Sequence, residues 1–329
     1  MTIEEMAKEL GVSKSTVSRA LSGKGRIGDK TRQEIRSYAQ QKGVWPKRNV
    51  RRHKTGNIGV VLPLDAYMMS IPFFQECLLG ISEAASSMKY QVMVTAGSLQ
   101  DISGIRALVE SKKTDGIILM QSSEDDGRLK YLTDIHFPTG LVGACNFPEV
   151  IQVDSDSREA AESLTSMLIE RGYRRPAMVA GNSTYKVHND RCRGFCSALE
   201  KHGLPAGHQI LYANLTDMSV LDSVIDDIFT RKADCIVCTD DCVCTMLMSR
   251  LLAGGYRIPK DISIASLCSS PSLEYFFPPV TAVNIFPRRL GNVIGSQLIN
   301  YLMGNEFNYK TMLDYDIQFR KSAEKPYQA

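Results

Sequence analysis

TIEEMAKELGVSKSTVSRAL, residues Thr2 to Leu21, is the stretch on which the reading of the whole chain turns. Ile3, Met6, Ala7 and Leu10 stand at i, i+3, i+4 and i+7, which predicts a short amphipathic helix. Thr2 and Glu5 have the spacing of a capping box, so that helix can begin almost at once. Gly11 supplies the residue tolerant of positive φ where the helix must end, and Val12 gives the turn an apolar contact. Ser13 then suits the N-cap of a second helix, with Val17, Ala20 and Leu21 on one side and Lys14, Ser15, Ser18 and Arg19 on the other. Two short helices around a glycine turn, the second with a polar and basic start, match a helix-turn-helix, although any αα-hairpin shares the spacing. The chemistry suits DNA: Lys14 and Arg19 can reach base edges, and Ser13 with the first helical N–H groups suits a phosphate.

The next residues extend this theme. SGKGRIG, residues 22–28, places Lys24 and Arg26 where backbone phosphates would lie. Asp29 can cap a third helix running from Lys30 to Gln41 and packing through Ile35, and Gly43 and Pro46 stop it. PKRNVRRHKTGN follows as a basic linker. Residues 1–57 carry 14 Lys/Arg against 5 Asp/Glu, a net of +9, so the chain total of +3 leaves −6 for the remainder. A basic head on an acidic body implies a polyanion held by the head alone.

With 329 residues, 43% hydrophobic and 23% charged, the composition is that of a globular chain of two or three domains. No apolar run is long enough for a membrane span and the N-terminus is acidic, so a cytoplasmic protein without a membrane partner is expected. Nine scattered cysteines fit a reducing compartment. Cys235, Cys238, Cys242 and Cys244 superficially resemble a metal set, but DCIVC reads as a buried strand whose thiols do not converge, so no metal or cofactor is expected.

From Ile58 onward, strands alternate with helices. IGVVL, YQVMVT, GIILM and TGLVG read as strands, with helices over Phe73–Met88 and around Leu108 between them. A second series starts near Asp156: a helix through Leu164 and Leu168, PAMVA, a helix over Arg193–His202, ILYA, a helix around Val224–Phe229, DCIVC, a helix through Leu247–Leu252, and ISIAS. Such alternation predicts parallel sheets with helices on both faces, in two doubly wound lobes with a ligand cleft between them.

VSKSTVSRALSGKGRIGDKTRQEI followed by GVWPKR resembles the DNA-binding head of the lactose/galactose repressor (LacI/GalR) family. IPFFQECLLGISEAA, KTDGIILM, ERGYRRPAMVAG, RCRGF, RIPKDISIAS and FPPVTAVNIFPRRLG resemble that family's segments in the same order, so the likeness covers Thr2 to about Asn305. It implies an α/β chain: an all-α helix-turn-helix head at 1–45, a linker or hinge at 46–57, and an effector-binding and dimerisation domain at 58–329. That domain resembles type I periplasmic binding proteins, with lobe one at 58–155 plus 288–318 and lobe two at 156–287. In the family a leucine in the hinge wedges into the minor groove; here His53 holds the matching position and the linker is shorter, which leaves Val50 as the apolar wedge and Arg51 as a phosphate contact.

By the same resemblance Phe73 and Phe74 line one wall of the cleft, Arg191 clamps hydroxyls or a carboxylate, and Asp240 and Cys268 face the effector. Several positions depart from the family pattern. Gly143 stands where an Asp is often found, Leu215 where an aromatic is usual, and Ser266-Leu267-Cys268-Ser269 replaces Gly-aromatic-Asp-Asp. The missing carboxylates suggest a smaller, more apolar or phosphorylated effector in place of a simple hexose, since unpaired polar groups discriminate strongly.

No G-x-G-x-x-G, P-loop or H-E-x-x-H is present, and the five histidines form no pairing set, so no catalysis is expected. The sequence thus describes a homodimeric repressor on a near-palindromic duplex operator, its affinity set by a small metabolite, a sugar or sugar derivative. The rival is a cytoplasmic metabolite-binding or sugar-modifying protein with an incidental basic head.

Overall fold

Thr2 and Glu5 cap each other in the computed structural model, which describes residues 2–22, 27–42, 55–63, 72–99, 101–204, 210–215 and 218–324. Thr2 N–H donates to Glu5 Oε2 at 2.8 Å and Glu5 N–H to Thr2 Oγ1 at 3.2 Å, opening α1 (Ile3–Glu9). Gly11 takes φ +64°, and Thr16 N–H donates to Ser13 Oγ at 3.0 Å, so the N-cap of α2 (Lys14–Ser22) is the one the sequence suggests. Met6, Ala7, Val17 and Ala20 pack against Ile35 and Ala39 of α3 (Asp29–Gln41). Ile3 departs from its stripe and is 45% exposed. Arg36 of α3 donates from Nε to the Ala20 carbonyl at 2.9 Å and from Nη1 to Glu149 at 3.1 Å, which links the head to the body.

The body follows the order β1 (Asn57–Pro63), α4 (Pro72–Ser87), β2 (Gln91–Gly97), α5 (Ser103–Glu110), β3 (Gly116–Leu119), α6 (Gly127–Asp134), β4 (Thr139–Val142), β5 (Ile151–Asp154). It continues α7 (Ser157–Glu170), β6 (Pro176–Val179), α8 (Lys186–Lys201), β7 (Ile210–Tyr212), α9 (Leu221–Thr230), β8 (Cys235–Cys238), α10 (Asp241–Ala253), β9 (Ser263–Ser266), α11 (Pro271–Tyr275), β10 (Thr281–Asn284). Then come α12 (Pro287–Met303), β11 (Lys310–Met312) and β12 (Asp316–Gln318). The first sheet runs β11-β5-β4-β3-β1-β2 with every pairing parallel. The second runs β12-β10-β9-β8-β6-β7, parallel except where β12 joins β10 antiparallel. The chain thus passes from the first sheet to the second after Asp154, and α12 returns it to pack on α4. The expected lobe-one segment 288–318 runs too far: β12 pairs in the second sheet, so the tail crosses between Met312 and Asp316.

The central strands of each sheet are buried on both faces, which explains their unbroken apolar runs. In the first lobe Ile58, Val60 and Ile118 pack with α4 and α12, while Val61, Ile117 and Leu119 pack with α5 and α6. Along β8, Cys235 and Val237 face one core and Ile236 and Cys238 the other, so the two thiols point to opposite sides of the sheet. Two helix pairs approach to backbone contact. A Cβ on Gly291 of α12 would sit 2.0 Å from the Cys77 carbonyl of α4, and one on Gly194 of α8 would sit 2.1 Å from the Arg158 carbonyl of α7. Gly194 of the RCRGF segment is therefore a packing glycine, and Phe195 beside it is fully buried.

Candidate functional site

The proposed DNA-facing residues Ser13, Lys14, Ser15, Ser18 and Arg19 lie at the cap and along the outer face of α2, and all five are exposed. They share one surface because the opposite side of the helix carries Val17 and Ala20, which are buried. Lys14 forms an ion pair with Glu4 of α1. Lys24, Arg26, Val50, Arg51 and the linker position His53 lie outside the described residues.

The second site is a cleft between the lobes, at the C-terminal ends of the strands. Parallel sheets leave the strand ends and helix starts facing the same way, so short polar residues there converge on one space. Gln121, Ser122, Gly143, Ala144, Asp154 and Ser155 come from the first lobe; Lys186, His188, Asp190, Arg191, Asp240 and Cys268 from the second. The lobes meet at its lip. Lys186 N–H donates to the Ser122 carbonyl at 3.0 Å, and Arg193 pairs with Glu124 at 3.1 Å.

All five expected effector-facing residues line this cleft. Phe73 and Phe74 meet edge to face with centroids 5.3 Å apart; Phe74 is also part of the lobe-one core, while Phe73 packs against cores of both lobes. Arg191 is 5% exposed and donates from Nη1 to the Thr239 carbonyl at 2.7 Å. Asp240 has a structural duty as well: Oδ1 accepts the Val243 N–H at 2.8 Å as N-cap of α10, and Oδ2 accepts from Thr239 Oγ1 at 3.2 Å. Burial pushes the Cys268 thiol up to about 12, so it stands in the cleft as a small neutral group. Ser266 Oγ donates to the Cys268 carbonyl at 2.7 Å and fixes that turn.

Sequence reasoning missed Asp154, Asp190, Gln121, Lys186 and His188. Asp154 ends β5, a four-residue strand with too little periodicity to announce itself. His188 and Lys186 precede Arg191 on the first turns of α8, and the i, i+3 spacing from His188 to Arg191 was a usable signal. The expectation of an acceptor-poor cleft is corrected accordingly: Asp154 and Asp190 bring carboxylates that no local sequence motif announces. Gly143 adopts φ +113°, a conformation that a side chain rarely adopts, which accounts for the absent Asp there. Leu215 is 2% exposed within the core of the second lobe and does not line the cleft. Below the floor, buried Arg128 pairs with Asp126 at 2.7 Å and donates to the Gln121 carbonyl at 2.8 Å, which holds that segment in place.

Two buried groups beside Asp240 titrate in opposite senses. Burial, reinforced by the Asp240 carboxylate, raises Asp241 to about 6, and its Oδ1 is buried without a hydrogen-bond partner. Burial lowers His188 to about 4 against the opposing pull of Asp240. A folded pKa above the unfolded one means Asp241 costs stability above pH 6 and relieves that cost as pH falls toward 4; His188, held neutral, loses stability as pH falls from 6.5 to 4. At about 1.4 kcal/mol per pKa unit, Asp241→Asn is expected to stabilise the fold by about 2–3 kcal/mol at pH 7.5 and to change it little at pH 4, read by urea unfolding at both pH values. Equal effects at the two pH values would contradict the burial argument.

A helix-turn-helix head joined to two parallel-sheet lobes that close on a polar cleft defines a ligand-responsive DNA-binding protein of the periplasmic-binding type. Residues 55–316 match the model for periplasmic binding proteins and the sugar-binding domain of the LacI family, and residues 2–45 match bacterial regulatory proteins of the lacI family. The chain belongs to the LacI family. It is 28% identical to the transcriptional regulator MalR of Staphylococcus xylosus over 98% of both chains. It is 32% identical to MalR of Streptococcus pneumoniae over 64% of this chain and 66% of that regulator. A probable maltose operon transcriptional repressor from Staphylococcus aureus has the same fold with TM-score 0.76 and 25% identity, covering 83% of this chain and 100% of that one. The regulator CelR in complex with cellobiose gives TM-score 0.73 over 98% of this chain and 99% of that one, at 23% identity.

Proposed function

We propose that the protein is a homodimeric transcriptional repressor, without enzymatic activity, whose hold on a near-palindromic operator is set by a small neutral saccharide in the interlobe cleft. The observation that carries the effector half is the cleft itself: an aromatic wall at Phe73 and Phe74, one arginine, and several carboxylates converging at strand ends. Aromatic faces suit sugar C–H groups, and carboxylates accept from hydroxyls. The lining carries Asp154, Asp190 and Asp240 against Lys186 and Arg191, a balance that disfavours a phosphorylated ligand. CelR binds cellobiose on the same fold, which supports the same class of ligand here.

The dimer reading draws on exposed apolar side chains in both lobes. Leu79 and Val94 of the first, and Leu252, Tyr275 and Phe277 of the second, are each at least 38% exposed. Large apolar side chains left exposed in both lobes suit contact with a second copy of the chain. A two-fold protein prefers a two-fold operator. Among the described residues no helix is long and apolar enough to cross a membrane; a DNA partner supports a cytoplasmic protein.

A mobility-shift titration against genomic fragments tests the reading: selective retention of a few fragments, altered by a saccharide, is the expected result, and indifference to every fragment would refute it. Arg19→Ala is expected to lose about 1–3 kcal/mol on the operator and to relax sequence preference at one base-pair step. Arg51→Ala is expected to weaken all sequences alike and to reduce the salt slope by about 1. Identical patterns from the two variants would overturn the division between base reading and phosphate contact.

A further inference from the structure

His188 has no assigned task, and its surroundings determine which of its nitrogens carries the proton. The ring is 2% exposed in the first turn of α8, and it lines the cleft. Its Nδ1 lies 3.1 Å from Thr239 Oγ1 and 3.7 Å from Asp240 Oδ2. Thr239 Oγ1 also receives the Gly181 N–H at 3.0 Å and lies 3.2 Å from Asp240 Oδ2. A hydroxyl has one proton and two lone pairs. The stronger acceptor for that proton is the carboxylate, because charge-assisted hydrogen bonds exceed neutral ones. With its proton on Asp240 and one lone pair used by Gly181, Thr239 can meet His188 only as an acceptor. His188 must then carry its proton on Nδ1, a choice the nearby carboxylate also favours. Burial keeps the ring neutral, so Nε2 is a bare lone pair, and that atom is buried with no hydrogen-bond partner.

We propose that His188 is a specificity-determining residue of the cleft: its Nε2, held as an acceptor by the Asp240–Thr239 relay, accepts a hydrogen bond from a hydroxyl of a neutral polyol effector. The inference deepens the saccharide reading and rests on it. Three residues along the same helix Arg191 offers only donors, so the two side chains read a hydroxyl pair in complementary senses, one hydroxyl donating to His188 and its neighbour accepting from Arg191. A buried acceptor left unpaired penalises ligands that lack a donor there, which turns the site into a selector for hydroxyl position. Thr239 is a positioning residue in this scheme.

The tautomer is read without any ligand. Long-range ¹H–¹⁵N correlation on the full-length, histidine-labelled protein is expected to show one ring with Nδ1 protonated and Nε2 pyridine-like, whose signals vanish in His188→Gln; an Nε2–H tautomer or a charged ring at pH 7 would overturn the proposal. Thr239→Val is expected to abolish the preference while leaving the fold intact by circular dichroism. Calorimetry with maltose and cellobiose supplies the binding arm. If the wild type binds either, His188→Phe is expected to weaken it tenfold or more, with His188→Gln, which keeps an acceptor, less affected. Unchanged affinity in a folded His188→Phe overturns the assignment. Binding of neither sugar would instead exclude these two as the effector and count against the saccharide reading of the cleft, and the tautomer then decides whether Nε2 is an acceptor.

Discussion

Gly291→Ala is expected to unfold the first lobe at a markedly lower denaturant concentration, by about 3 kcal/mol or more, the upper end for overpacking. The added Cβ would lie 2.0 Å from the Cys77 carbonyl and 2.9 Å from its Cα, all backbone of α4, so no side-chain rotation can make room. One helix must move off the other, and the shift would be felt by Ile81, Ile294 and Leu298, which fill the core beneath them. Gly295→Ala, one turn along, is the internal control. Its Cβ would meet the Ala84 side chain at 3.1 Å, a contact that small adjustments absorb, so a loss of about 1 kcal/mol is expected. Urea unfolding of the two variants separates these outcomes. Similar small losses in both would mean that the α4–α12 contact is looser than its geometry.

Arg191→Ala has the second large effect. Its guanidinium is 5% exposed and bonded to the Thr239 carbonyl, and its charge favours the ionised forms of the Asp154 and Asp241 carboxyls against the burial that raises them. Truncation removes the cleft's buried donor and leaves those carboxylates without their cation. Removing one member of a buried, hydrogen-bonded charge set typically costs 2–5 kcal/mol, so saccharide affinity is expected to fall about a hundredfold. Operator binding in the absence of saccharide is expected to persist, because the head and its DNA-facing α2 are remote from the cleft. Arg191→Lys keeps the charge but loses the fork, and an intermediate loss is expected. Calorimetry for the saccharide and mobility shift for the operator give the two readings. Loss of operator binding in step with saccharide binding would show that Arg191 serves the fold and not the ligand.

The head, the alternating body and the family are legible in the order of the residues. Caps, glycine turns and apolar spacing act within one or two helical turns, so Thr2, Glu5, Gly11 and Ser13 declare their roles locally. The buried strands of four or more apolar residues are legible for the same reason. Short strands such as Lys310–Met312 and Asp316–Gln318 are not, since three residues carry no period and only pairing with a distant partner makes them strands. The cleft divided along the same line. Phe73, Phe74, Arg191, Asp240 and Cys268 were named through family likeness, but the work of each depends on neighbours far along the chain. Asp240 proved to be a helix cap as well as a wall, and Gly194 a contact between helices. Asp154 and His188 acquired their chemistry only when two lobes closed around them, because desolvation and a proton's location are properties of the enclosing space and of the groups folding brings within 4 Å, and neither is written in any local run of residues.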